Sequence, residues 1–389
     1  MFKVCFISTV PATMKGLILP FVNYVLEKNK GNVDITLICS PDDDFAESLP
    51  SSIHFYPVKM KRGVDIHLLS VIRQFKRIFK TEKFDLIQYS TPNASFYSSI
   101  AAKSEKIPVR LYCQWGLAFE GYSGLKNKIF KWLEKTTCKN STWIEPDSNG
   151  NLARCRTLGF YDENKSSVVL FGSAKGVNLS VFDFSKKCEY RKEIRDKYRI
   201  ADQAFVFGFA GSITGDKGIN ELLCAFRMLL KDYPNTMLML VGDTEKEASL
   251  NTELFEWAKE CCSIIFVGLS HAVQKEMAAM DCYVIPSYRE GFGTTVIEAG
   301  AMGLPVISTD IPGPTDAIKD GINGLLVEKK NIEQLADAMI KMVNDPSLCE
   351  KFGAEGLKLV REKYDQQKVF DAIIEDRKRL LKSAENNNG

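Results

Sequence analysis

Glu290-Gly-Phe-Gly-Thr-Thr-Val-Ile-Glu298, with Cys282-Tyr-Val-Ile-Pro286 before it and Ala299-Gly-Ala-Met-Gly-Leu-Pro305 after it, decides the fold of this 389-residue chain. The first of the flanks is short, apolar and rich in β-formers, so it reads as a buried strand ending at a proline. Gly291 and Gly293 permit a tight turn in which backbone N–H groups approach a ligand closely. Thr294 and Thr295 offer cap-type hydroxyls, and 296–302 carries the apolar spacing of a helix lying on a sheet. Strand, glycine turn and helix N-terminus together bind phosphate, because orphan N–H groups and the helix dipole both favour an anion. Glu290 lies in the turn, and Glu298 one turn inside the helix on the face of Thr294. A carboxylate beside a phosphate is repelled unless it accepts hydrogen bonds from something else. Sugar hydroxyls are natural donors, which places Glu298 near a ribose and Glu290 near a hexose. The pattern describes a sugar-nucleotide site.

Outward from this stretch, short apolar strands alternate with amphipathic helices. Strands are expected at 3–10, 33–40, 53–59, 84–90, 109–115, 142–147 and 167–171, then at 204–210, 236–242, 263–267, 282–286, 305–308 and 324–327. Helices fit 19–27, 67–79, 94–102 and 125–136. The alternation predicts an α/β protein with two doubly wound, mostly parallel sheets. A hinge is expected at 171–179, with two Rossmann-like domains facing each other across a cleft. Such sheets bind ligands at the carboxyl ends of their strands, where Glu290 and Glu298 fall. A last helix over 366–381 is apolar at Val369, Phe370, Ile373, Ile374 and Leu380, and the polar tail from Ser383 to Gly389 is expected to fray.

Composition excludes several classes. No apolar run approaches the roughly 20 residues of a membrane span. The start, Met1-Phe-Lys-Val-Cys-Phe-Ile7, leads directly into a strand without a small-residue cleavage site, so no signal peptide is expected. Eleven cysteines without a Cys-x-x-Cys pair, several of them inside apolar strands, fit a reduced cytoplasmic protein. The net charge of +2 hides an asymmetry. Residues 1–180 hold 24 Lys+Arg against 16 Asp+Glu, and the remainder holds 27 against 33. A first half at +8 favours anionic partners such as a membrane surface.

The segment around Glu290 and Glu298 resembles, residue for residue, the two-glutamate signature of retaining glycosyltransferases of family four, which have the GT-B fold. The resemblance is close over about 200–365 and looser over 1–180, and it is similar to that of bacterial polysaccharide-biosynthesis enzymes. It implies an N-terminal acceptor-binding domain (1–175), a C-terminal nucleotide-sugar domain (176–363) and a segment (364–389) whose helix crosses back onto the first domain. It implies a UDP-linked donor, no cofactor, and an acceptor that is a growing glycan or a polyprenyl-diphosphate-linked intermediate. Gly291, Phe292, Gly293 and Thr294 would cradle the diphosphate by backbone N–H, and the Gly268–Leu269 backbone would meet the base. The family usually places an arginine and then Lys-Gly after the strand 204–210. Both of those cations grip the donor diphosphate in the family; here Lys217-Gly218 matches, which implies that Lys217 with Glu290 carries the catalysis, whereas Ser212 stands at the arginine position and supplies no charge. Gly16, with Lys15, stands where the family has a glycine-rich loop facing the donor phosphates. Trp115-Gly116 replaces a family His-Gly, so Trp115 either stacks on a sugar or fills the core.

Two further patterns lie outside this resemblance. Asp42-Asp43-Asp44 contains Asp-x-Asp, a metal–diphosphate motif in other glycosyltransferases, but reads better as a charged turn, and no metal site is expected. Lys126, Lys128, Lys131 and Lys135 interleave with Leu125, Ile129, Phe130, Trp132 and Leu133 as in an interfacial helix. Arg73, Lys76, Arg77 and Lys80 with Phe75, Ile78 and Phe79 form a second such candidate. Neither patch resembles a nucleic-acid motif. The reading is a cytoplasmic, peripheral, metal-independent glycosyltransferase. A sugar-nucleotide epimerase of related fold and a non-catalytic membrane-associated scaffold are the alternatives.

Overall fold

The computed structural model describes residues 2–29, 32–61, 63, 67–244 and 247–388. The chain divides into two compact units: Met1–Lys175 together with Lys368–Gly389, and Gly176–Gln367.

The first unit is built on β1 (Phe2–Ile7), β2 (Val33–Cys39), β3 (Ile53–Pro57), β4 (Leu86–Tyr89), β5 (Val109–Gln114) and β6 (Trp143–Pro146). They form one parallel sheet in the order β3-β2-β1-β4-β5-β6. Strands such as Val33-Asp-Ile-Thr-Leu-Ile-Cys39 are buried over consecutive residues, as expected where helices cover both faces. The second unit uses β7 (Phe205–Ala210), β8 (Thr236–Val241), β9 (Ile264–Gly268), β10 (Cys282–Ile285), β11 (Val306–Thr309) and β12 (Gly324–Val327). Their order is β12-β11-β10-β7-β8-β9, again all parallel. Counted within each unit, both sheets run third, second, first, fourth, fifth, sixth. The winding therefore reverses between β1 and β4 and between β7 and β10, and a reversal opens a crevice at the carboxyl ends of those strands.

One expected strand is absent. Residues 167–171 do not pair; β6 meets the following segment only through an isolated bridge, Ile144 to Ser166. Positive φ at Leu170 (49°), Gly172 (93°) and Ser173 (75°) turns the chain out of extended geometry. The helix Gln366–Asn388 starts in the second unit and belongs to the first from Lys368 onward. Val369, Phe370 and Ile373 are buried there, with the Phe370 ring edge-on to Phe21 at 5.3 Å. Arg377 on the same helix is buried, donating to Gln88 Oε1 at 3.0 Å and ion-paired with Glu145 of β6. The tail expected to fray continues this helix to Asn388; Gly389 lies outside the described residues.

Candidate active site

Two loops at the β7/β10 reversal carry the charges. After β7 the chain makes a tight turn, Gly215–Lys217, and enters the helix Ile219–Leu229 through Gly218 at φ 74°. A Cβ at Gly218 would run into the Pro286 carbonyl at the end of β10, so only glycine lets this loop lie against that one. Tyr288 N donates to Asp216 O at 2.9 Å. Lys217 Nζ donates to Glu290 Oε1 at 2.6 Å, and Arg289 Nη2 to Asp216 Oδ2 at 3.2 Å. Thr214 Oγ1 holds the other Asp216 oxygen at 2.7 Å. Two acid–base pairs thus cross between the loops. Side-chain exposures of 28% for Lys217 and 13% for Glu290 put the inner pair partly out of water, where ion pairing is stronger than at the surface. The sequence assigns Lys217 to a diphosphate and Glu290 to a sugar; the structure pairs them with each other. Such a pair can be exchanged for a ligand that offers an anion to the lysine and a hydrogen-bond donor to the carboxylate.

The glycine turn follows directly. Gly293, at φ 79° and ψ 58°, caps the helix Thr294–Ala301, and no side chain caps that end. This corrects the expectation that Thr294 or Thr295 serves as the cap. Gly313, at φ 103°, sits so close to the Gly291 carbonyl that a Cβ there would collide with it. Phe292 is buried, its ring 5.3 Å from Tyr364, so it can offer a ligand only its backbone. Glu298 is buried within the helix. Tyr288, whose hydroxyl donates to Glu221 Oε1 at 2.6 Å, has its own pKa raised, chiefly by burial. Ser212 follows β7 and is half-buried. Gly268 ends β9 at φ 76° and accepts from Gly242 N at 2.8 Å; Leu269 beside it is exposed. They stand two strands from β7, on the edge strand of the sheet.

In the first unit the expectations fare differently. Lys15 and Gly16 lie in a π-helical turn, Met14–Ile18, between Pro11–Thr13 and Leu19–Asn29, and not in a glycine loop. Pro11 at the first helical position starts the helix after a three-residue link from the strand, so the freedom of Gly16 goes unused. Lys15 Nζ is 3.6 Å from Asp42 Oδ1 and lies over the Phe45 ring. Asp42 accepts from Phe45 N at 2.7 Å, capping the helix Asp43–Glu47, which accounts for the acidic triplet. Trp115 packs against the apolar core of this unit. At the β1/β4 reversal, Thr9 N donates to Thr91 Oγ1 at 2.9 Å and the two hydroxyls meet at 2.7 Å. Thr91 takes φ 68°, uncommon for a β-branched residue. A cavity of about 270 Å³ beside it is lined by Thr9, Thr91, Asn93, Tyr122 and Phe130 among others.

The helix Gly124–Asn140 exposes Leu125 (74%) and Trp132 (60%), with Ile129 between them at helical spacing, while Phe130, Glu134, Thr137 and Cys138 face inward. Lys126, Lys128 and Lys135 border the exposed apolar stripe. Lys131 is half-buried over the Phe160 ring, and so does not border that stripe. The second candidate, Leu68–Glu82, buries Phe75 and Phe79 and is an ordinary core helix. Glu134, on the inner face of Gly124–Asn140, accepts from Gln114 Nε2 at 2.5 Å and Tyr112 Oη at 2.9 Å; burial pushes its pKa up to about 7. Sequence reasoning missed Arg289 and Asp216, which adjoin recognised residues, and Thr9 and Thr91, since single hydroxyls form no motif. Among the described residues no group of three or more His, Cys, Asp or Glu is placed to hold a metal. No helix among them is long and apolar enough to cross a membrane.

Two doubly wound parallel units, with a phosphate-type turn at the reversal point of the second, define a GT-B architecture. The Anabaena protein HepE, solved with UDP and glucose, shares it with a TM-score of 0.77 at 17% identity, over 97% of this chain and 100% of that one. Residues 3–148 match the model of the glycosyl transferase 4-like family, and 190–359 that of glycosyl transferases group 1. The chain is 28% identical over 357 residues to the capsular polysaccharide biosynthesis glycosyltransferase CapM of Staphylococcus aureus, covering 92% of each. It is 25% identical over 322 residues to the UDP-Gal:alpha-D-GlcNAc-diphosphoundecaprenol alpha-1,3-galactosyltransferase of Escherichia coli, covering 81% of each. The chain belongs to the family-four glycosyltransferases. Membership favours the transferase over the epimerase and scaffold alternatives.

Proposed function

We propose that this glycosyltransferase moves a sugar, with retention of anomeric configuration, from a UDP-linked donor to a lipid-linked glycan at an anionic membrane surface. The observation that carries the reading is the Lys217–Glu290 pair beside the uncapped turn at Gly293. On donor binding Lys217 turns to the diphosphate, joined by backbone N–H groups of 291–294, and Glu290 accepts from hydroxyls of the transferred sugar. Glu298 accepts from the ribose, with Gly268 and Leu269 beside the base. Charge neutralisation by lysine and backbone leaves a divalent ion unnecessary, and the reaction needs no cofactor beyond the donor.

The neutral, hydroxyl-bearing cavity of Thr9, Thr91 and Asn93 suits an uncharged glycan on the acceptor side. The E. coli relative is named for a diphosphoundecaprenol-linked acceptor, which supports a lipid-borne acceptor here. The exposed Leu125, Ile129 and Trp132, bordered by lysines, match a bilayer surface in both polarity and charge. The attachment is peripheral and on the cytoplasmic side.

Thermal-shift screening of nucleotide sugars tests the donor: a ligand at 100 times its Kd stabilises by about 2.7 kcal/mol. Glu298→Gln should weaken the best donor by about 1–3 kcal/mol, the range for a charge-assisted hydrogen bond. An inverted product in an early NMR spectrum, or activity lost to EDTA and restored by magnesium, contradicts the mechanism. Docking on anionic vesicles should weaken as salt shortens the Debye length below about 8–10 Å. Trp132→Ser with Lys128→Glu should abolish it. Wild-type indifference to vesicles at low salt removes the membrane from the reading.

A further inference from the structure

The donor reading assigns Lys217 and Glu290 to different parts of the ligand, so their mutual 2.6 Å contact cannot survive donor binding. Something else must then keep loop 212–218 in register with loop 286–290. Besides the packing of Gly218 on Pro286, two hydrogen bonds between these loops converge on Asp216. Its carbonyl accepts from Tyr288 N at 2.9 Å and one carboxylate oxygen accepts from Arg289 Nη2 at 3.2 Å, while Thr214 Oγ1, on the same loop as Asp216, holds the other carboxylate oxygen at 2.7 Å. Tyr288, Arg289 and Glu290 are consecutive on one loop, as are Asp216 and Lys217 on the other. The outer pair therefore adjoins the inner pair on both loops.

We propose that Arg289 is a positioning residue for the transfer reaction: by holding Asp216 it fixes where Lys217 stands once Lys217 has left Glu290 for the donor diphosphate. The inference rests on the donor reading above. A guanidinium suits the task, because its donors are fixed in a plane and its charge is permanent. Arg289 Nε is buried with no hydrogen-bond partner among the described residues, so direct contact of Arg289 with a ligand is the alternative that a test must separate.

A double-mutant cycle separates them, read by calorimetric titration of the full chain with UDP. Arg289→Ala should weaken UDP binding about fivefold, the upper range for a partly exposed charge pair. In a Lys217→Ala background the same change should cost nothing further, since a residue acting through Lys217 has nothing left to position. Arg289→Lys should recover part of the loss, and Asp216→Asn should reproduce Arg289→Ala. If Arg289→Ala does not fold, Asp216→Asn takes its place in the cycle. Losses that add in full mean that Arg289 grips the diphosphate itself, and the positioning role is overturned. It is equally overturned if the unaltered protein binds UDP and neither Arg289→Ala nor Asp216→Asn changes the affinity. If the unaltered protein binds none of UDP, GDP, ADP or dTDP, the donor reading fails and this inference fails with it.

Discussion

The two reversal points share a topology and differ in chemistry. Between β7 and β10 the loops are crossed by charges, Lys217 to Glu290 and Arg289 to Asp216, all partly open to solvent. Between β1 and β4 the corresponding loops are joined by two threonine hydroxyls 2.7 Å apart. The first unit keeps its notable charges inside instead: Arg377 with Glu145 under the C-terminal helix, and Glu134 behind Gln114. A doubly wound sheet offers a crevice wherever its winding reverses, but the loops decide what the crevice can hold. Charges that a ligand can displace suit a diphosphate, whereas neutral hydroxyls suit a glycan. Ionisable groups in the first unit would then serve stability, and those in the second would serve turnover.

Arg377→Ala gives the largest effect that could break this division. Burial alone would lower the Arg377 pKa, but Glu145 outweighs it and holds the guanidinium charged. Removing it strands a buried carboxylate, which costs about 3–5 kcal/mol of stability. Denaturant unfolding should show that loss, while UDP affinity of the folded protein stays unchanged. A variant of normal stability would mean that the pair does not hold the helix.

Lys217→Ala should do the reverse. The melting temperature should barely move, while turnover falls about a hundred- to a thousandfold, the range for removing one preorganised group facing developing negative charge. Normal kcat/KM would sink the assignment of Lys217 to the diphosphate.

What the sequence disclosed follows the same division. The second unit's site is local: Glu290, the glycine turn and Glu298 fall within nine residues, so phosphate chemistry leaves a readable stretch. All six of its strands were legible because buried parallel strands are continuous apolar runs. The first unit's features are non-local. Thr9 and Thr91 meet only through the sheet, and Glu134 gives no sign in sequence that it points inward. The segment 167–171 reads as a strand because Val168-Val-Leu-Phe171 is apolar; positive φ at Leu170 is invisible in composition. Arg289 was in view beside Glu290, yet its partner Asp216 lies 73 residues away.

Glu134 sharpens the comparison by a pH dependence. Its pKa in the folded state, about 7, stands above the ordinary carboxylate value of 4.5 because burial penalises the charged form. The folded state therefore holds a proton that the unfolded state releases. Stability should decline as pH rises from about 4.5 to 7, by roughly 3 kcal/mol from this group, and level off above. Glu134→Gln keeps an oxygen to accept from Gln114 and Tyr112 but cannot ionise. It should flatten the slope and stabilise the protein at pH 8. A slope unchanged in the variant would show that other groups set it.

The smallest effect tests where the second unit's site is short of charge. Its two cross-loop pairs sum to zero, and Ser212 adds nothing to the loop after β7. An arginine there adds one positive charge to that loop before the donor arrives. Ser212 is half-buried in a loop rather than in the core, and stability should shift by no more than about 0.5 kcal/mol. Attraction between a solvent-screened cation and a diphosphate is worth about 0.5–1 kcal/mol, so Ser212→Arg should tighten UDP binding two- to fivefold. Uridine, which has no phosphate, should bind as before. That control decides the matter: a gain shared by uridine would place residue 212 near the nucleoside, and a loss for both would show that the arginine blocks the crevice. A gain for UDP alone would place the loop after β7 against the phosphates and leave the neutral β1/β4 crevice to the acceptor.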